Sequence, residues 1–248
     1  MDISYDTLKE NAKSSLAKAY WLSVGASAVV TVLSGIGSGL SSGFSRAVNG
    51  ATQDSDMSVG VFILLMFLSL ICMTVSLAVT LCLTNILTVG HTNYYLKLRK
   101  GTVDFMAIFA GFQNGNYSKI FKVMLRKTIY LTLWYLLFII PGIIMGLAYF
   151  MVDYIAAENP DIDSQRVIEI SKQTMDGEKA NLFVLQLSFI GWILLTICTC
   201  GIGMYFLTPY MQATYTEFYE YMKAKAINNG IATPEEFGIV PGEPAPVV

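Results

Sequence analysis

Histidine is nearly absent: His91 is the only one in 248 residues, which excludes any metal centre built from several imidazoles. Charge is scarce too. Only 14% of residues are charged, against about 25% in ordinary soluble chains, and the net charge of −2 offers no basic field for nucleic acid. No phosphate-binding glycine loop, paired-glycine dinucleotide fingerprint or zinc-protease helix motif occurs. A nucleophile with a base and an orienting partner is therefore missing, and neither enzymatic activity nor a cofactor is expected. The first 18 residues carry three acids and three bases rather than a short basic leader, so no cleavable signal is expected. Of four cysteines, Cys72 and Cys82 lie ten apart, about 15 Å along a helix and beyond disulfide reach. Cys198 and Cys200 could oxidise or bind a soft metal, but packing within a hairpin is the plainer expectation.

Apolar residues are plentiful, at 54% of the chain with a mean hydropathy of +0.54. Residues 19–45, 57–96, 128–152 and 180–216 contain no Asp, Glu, Lys or Arg. A hydrocarbon core takes about 20 helical residues, so these tracts predict an all-α polytopic membrane bundle. Residues 59–84 cross once, and 85–97 then emerge into water through a polar collar that bears His91. The last tract breaks at Cys198 to Gly203. The third holds Pro141-Gly142 at its middle and fits either one kinked crossing or a hairpin. Cation placement separates the two, because a hairpin puts fifteen of sixteen Lys and Arg on one side whereas a kink splits them ten to six. The expectation is six spans, at about 20–40, 59–84, 119–140, 142–158, 181–197 and 203–222. They form one membrane domain over 1–225, and 226–248 follow as a disordered cytoplasmic tail. Both termini are expected in the cytoplasm.

Short amphipathic helices should lie on the cytoplasmic side. Tyr5, Leu8, Ala12 and Leu16 share one helical face. Thr102 could cap a turn presenting Phe105, Ile108, Phe109 and Phe112, and Asp163 or Ser164 could cap a helix that Gly177 ends. Asp153 is the candidate intramembrane acid, with Arg126, Lys127 or a tyrosine as its expected partner. The last span places Tyr205, Thr208, Gln212, Tyr215 or Thr216, and Tyr219 on one face, with Gln186 and Ser188 opposite. That stripe reads either as interhelical hydrogen bonding or as the wall of a cavity for a polar or amphipathic ligand. Gly35, Gly39 and Gly43, and likewise Gly142 and Gly146, have the spacing of close helix approach.

The ordered series Phe138 to Ile144 (FIIPGII), Tyr154 to Pro160 (YIAAENP), Ala180 to Trp192, Gly201 to Gly203 and Pro209 to Thr214 resembles the bacterial integral membrane family called domain of unknown function 975. A looser similarity links the Pro-Gly-Ile hairpin and the Glu-Asn-Pro segment to the membrane domain of some glycerophosphodiester phosphodiesterases. The resemblance implies a multi-helix protein of the bacterial cytoplasmic membrane with no catalytic residues to transfer. The expected function is non-enzymatic binding or organisation of membrane lipids or of another membrane protein. The alternative is a permease or exporter for a small amphipathic or cationic compound, routed past Asp153, Gln186 and the tyrosine stripe.

Overall fold

The computed structural model describes residues 4–51, 58–113, 115–199 and 201–239. Every regular element among them is a helix. In chain order these are α1 (Tyr5–Ala17), α2 (Tyr20–Ala51), α3 (Val59–Val79), α4 (Asn85–Arg99), α5 (Tyr117–Leu137), α6 (Ile139–Ala148), α7 (Val152–Glu158), α8 (Ser164–Thr174), α9 (Lys179–Leu187), α10 (Ile190–Cys198) and α11 (Ile202–Asn228). A π-helical turn at Thr80–Thr84 joins α3 to α4, and 3-10 helices cover Phe105–Phe112 and Pro234–Phe237.

The long helices pair as hairpins. On α5 and α6–α7 the contacts nest around one reversal: Tyr135 packs on Gly142, Lys127 pairs with Asp153 and Lys119 pairs with Asp161. The corner is Phe138, extended at φ −160° and ψ 151°. It lies three residues before the expected Pro141-Gly142 turn, because proline fits the first turn of a helix, where its missing N–H leaves no bond unmade. Gly142 is needed for a different reason, since a Cβ there would strike the Tyr135 ring. A second reversal uses Gly201 in the left-handed region at φ +84°. Around it Gly203 faces Thr196, and Tyr210 meets Phe189 edge to face at 5.6 Å. The third pairing is α2 with α4, where the Ser23 hydroxyl meets Tyr94 and the Ser27 hydroxyl meets both His91 and Tyr95.

By length and composition three helices could cross a membrane: Val59–Arg99, Ile139–Glu158 and Lys179–Cys198. The number rises to four if Tyr5–Ala17 and Tyr20–Gly35, bent by 95°, count as one span. This is fewer than the six expected. The first half of α5 holds Lys119, Lys122, Arg126 and Lys127, and α11 is diluted by Tyr205, Thr208, Gln212 and Thr214. Two expected spans are also broken, at Tyr149–Met151 between α6 and α7 and at Ser188–Phe189 between α9 and α10.

Large apolar side chains stand exposed along α2, α3, the last turns of α5, α6, α10 and the start of α11. The core lies at the opposite end, where α4, α7, α8 and the second half of α11 bury Ile86, Tyr94, Ile155, Ile170, Phe218 and Met222. This overturns the polar collar. Residues 85–97 enter protein rather than water, because tyrosine and histidine can be buried once their polar atoms are matched. His91 is 7% exposed, with Nε2 3.1 Å from the Ser27 hydroxyl.

The amphipathic helices are present with changes. Leu8, Ala12 and Leu16 form the buried face of α1. The 3-10 helix at 105–112 is capped by the Asp104 carboxylate, which accepts from Met106 N–H at 3.0 Å, so Thr102 is not its cap. Its Phe105 and Phe109 are half-buried against the core rather than turned outward. Asp163, not Ser164, caps α8, accepting from the N–H groups of Gln165 and Arg166. Among the described residues, nothing lies within 4 Å of a Cβ built on Gly35, Gly39 or Gly43.

The expected tail is also corrected over its first part. α11 continues to Asn228, and the chain then folds back so that Phe237 is 2% exposed. Arg166 is the reason: its guanidinium donates to Glu236 at 2.7 Å and to the Ile231 carbonyl at 2.8 Å, tying the segment to α8. Residues 240–248 of that tail, Cys200 of the cysteine pair and residues 52–57 lie outside the described residues.

Candidate functional site

The expected stripe residues fall into separate surroundings. Asp153 pairs with Lys127 at 2.6 Å, both side chains less than one-fifth exposed, so its charge is matched as expected for an acid near hydrocarbon. Tyr205 is exposed, and the Thr208 hydroxyl donates back to the Met204 carbonyl at 2.8 Å. Gln186 and Gln212 are half-buried on different helices. Tyr215 packs between Phe150 and Phe189. Tyr219 is buried, stacks on Tyr154 at 4.5 Å and donates to Glu158 at 2.6 Å. None of these seven residues lines the groove of about 590 Å³ between α1–α2 and α10–α11.

Sequence reasoning missed an ion cluster where three returning helices converge. Lys223 Nζ lies 2.7 Å from Glu158 Oε1 and 3.8 Å from Glu220. Arg99 donates to both Glu217 oxygens, at 3.1 and 3.0 Å, and approaches Glu220 at 3.7 Å. The Glu217, Glu220 and Lys223 side chains are 5%, 5% and 3% exposed. Arg99 ends α4, Glu158 ends α7, and the other three belong to α11. Such a cluster costs desolvation and holds only while each charge keeps its partner. The contacts Phe150 on Tyr215, Tyr154 on Tyr219 and Glu158 on Lys223 advance in step, so α7 and α11 run in parallel. The Glu217, Glu220, Lys223 spacing signals one helical face, but the α7 and α4 partners are remote in sequence.

The cavity lies elsewhere. It is a groove of about 590 Å³ between the α1–α2 elbow and the α10–α11 hairpin, with walls formed by Leu16, Trp192, Leu195, Phe206 and Leu207. Trp192 and Leu195 are 57% and 61% exposed, so one side opens laterally onto the apolar surface. Its hydroxyls are mostly spent. Tyr20 donates to the Phe206 carbonyl at 3.1 Å, Thr196 to Ile193 at 2.7 Å and Thr199 to Thr196 at 2.9 Å. Lys13 and Tyr210 mark the end nearest α1, the ammonium 5.9 Å from the Tyr210 ring centre.

Residues 136–226 match the family model described as Protein of unknown function (DUF975). The family resemblance holds over that segment. The DUF975 segment contains both the Phe138 and the Gly201 reversals, Glu158 and the α11 part of the ion cluster, whereas Arg99 and the α1 side of the groove lie outside it. The looser likeness to the phosphodiesterase membrane domain gains no support from this match. No curated protein and no solved structure matches the chain.

Proposed function

We propose that this is a non-enzymatic, multi-pass protein of the bacterial cytoplasmic membrane that binds lipid. One observation carries the reading: a cavity of about 590 Å³ among the described residues is an apolar groove that opens sideways between hydrocarbon-facing helices. Its volume falls within the roughly 300–1,000 Å³ of small-molecule sites. A polar solute would find few free hydrogen-bonding groups on its walls, because three hydroxyls are already given to backbone carbonyls.

In this reading the hairpins α2–α4, α5–α7 and α9–α11 enter the bilayer as six legs from one side. Their returning ends meet in the cytoplasm at the Arg99, Glu158 and Lys223 cluster, and α1 and α8 lie with it. Fifteen of the sixteen Lys and Arg residues then fall on that side, in keeping with the positive-inside bias. Both termini are cytoplasmic. The α1–α2 bend of 95° suits a helix that lies in the interface before the chain turns inward.

Native mass spectrometry of the detergent-purified protein tests the function. Retained phospholipid is expected, and it should fall when Ala17→Phe fills the groove from the end of α1. A wild-type protein that carries no lipid would overturn the reading.

A further inference from the structure

We infer that the groove selects an anionic phospholipid, its phosphate held by Lys13 and Tyr210 and one acyl chain laid along Trp192, Leu195 and Phe206. This rests on the lipid-binding reading above and adds the headgroup chemistry. The α1 end of the groove is its only charged part, because Lys13 is the one ionised side chain on the lining. Among the described residues that ammonium has no carboxylate partner; its contact is with the Tyr210 ring at 5.9 Å. Among the described residues the Tyr210 hydroxyl likewise takes no hydrogen-bond partner, although the residue is half-buried. Two donors without acceptors thus face the same end of one groove, which is the complement of a phosphate oxygen.

The position of that end fits a headgroup. Lys13 lies four residues before the end of α1, and α1 meets α2 at 95°, so a crossing α2 places α1 and its ammonium at the level of the lipid phosphates. The rest of the lining suits a chain rather than a peptide. A peptide in hydrocarbon must satisfy its own N–H and C=O groups, and the Tyr20, Thr196 and Thr199 hydroxyls are already bonded to this protein's carbonyls. An acyl chain asks for no such partner.

The test uses the full-length protein in nanodiscs of mixed phosphatidylglycerol and phosphatidylcholine, with native mass spectrometry of the lipid retained on release. Wild type should keep phosphatidylglycerol in preference. Lys13→Gln should cut that preference about fivefold, the effect of one cation near an anionic surface, while total retained lipid falls less. Ala17→Phe should reduce retention of both lipids. Unchanged preference in Lys13→Gln would overturn the headgroup assignment while leaving lipid binding intact. Retention unaffected by Ala17→Phe would remove the groove as the site. A wild type that retains a protein partner and no phospholipid would overturn both this inference and the functional reading beneath it.

Discussion

Lys223 and Glu158 form an ion pair at 2.7 Å with their side chains 3% and 9% exposed, joining the end of α7 to the last third of α11. The pair is held on both sides, by Tyr219 donating to Glu158 at 2.6 Å and by Glu220 3.8 Å from the ammonium. Because α7 closes one hairpin and α11 closes another, this contact fixes how the two stand relative to each other. Removing one member leaves a charge in a poorly solvated place, a change that typically costs about 3–5 kcal/mol. Lys223→Met should therefore lower thermal stability in detergent sharply. Adding Glu158→Gln should recover part of the loss, because the stranded charge is gone. A double variant no better than the single would show that the pair's partners, not its charge balance, set the effect.

Gly90 offers a separate test of packing. A Cβ at this position would overlap the Ile108 carbonyl, so α4 and the 3-10 helix at 105–112 touch backbone to backbone. Overpacking ordinarily costs about 1–3 kcal/mol, and a rigid backbone neighbour puts Gly90→Ala at the upper end. Gly35→Ala, which meets open space, should leave the melting temperature unchanged or raised. Thermal unfolding of the two variants side by side checks the contrast.

The C-terminal fold-back should loosen in acid. The Arg166 guanidinium hydrogen-bonds Glu236, and the Thr233 N–H adds to this, so the carboxyl titrates below its usual value near 4.5. A lowered folded-state value means the stabilisation is complete above about pH 4.5 and drains away as pH falls through the lowered value. The hydrogen-exchange protection factors across 229–239, measured against the intrinsic rate at each pH, should thus fall on acidification, while Glu236→Gln should show the lower protection already at neutral pH. Protection factors unchanged between neutral and acid pH in the wild type would contradict the role of this contact.

Phe237 gives the same segment a packing test. Truncating a buried phenylalanine typically costs about 3–5 kcal/mol, so Phe237→Ala should open residues 229–239 to limited proteolysis. Equal cleavage of variant and wild type would show that the ring does not anchor the segment.

Much of the architecture was legible because it follows from local rules. Uncharged tracts located the long apolar helices, and the spacing of Leu8, Ala12 and Leu16 gave the buried face of α1. Glycine at 201 marked the second reversal because only a residue without a Cβ takes φ +84° at little cost. What stayed hidden depended on long-range partners. Residues 85–97 looked like a helix leaving the membrane for water, since nothing in the sequence reveals that Ser23 and Ser27 are placed to satisfy Tyr94, Tyr95 and His91. The ion cluster escaped for the same reason: Arg99 and Glu217 are remote in sequence yet meet at 3.0 Å. The tail was misread because prolines and glutamates suggested disorder, whereas Arg166 supplies the partner that Glu236 needs. Of the expected site, the Asp153 pairing with Lys127 was anticipated among its alternatives. The groove was not, since its walls come from α1, α2, α10 and α11 at once.

The proposed topology places the polar ends of three hairpins on one side of the bilayer. Single cysteines placed at Gly101, Asp161 and Asn229, all exposed, in a background lacking the native four, can be labelled in oriented vesicles with a membrane-impermeant reagent. Labelling of all three positions from the cytoplasmic side alone is the predicted result. Labelling of Asp161 from the face opposite Gly101 would mean that the chain passes straight through at Phe138, and would contradict the arrangement on which the groove and the ion cluster both depend.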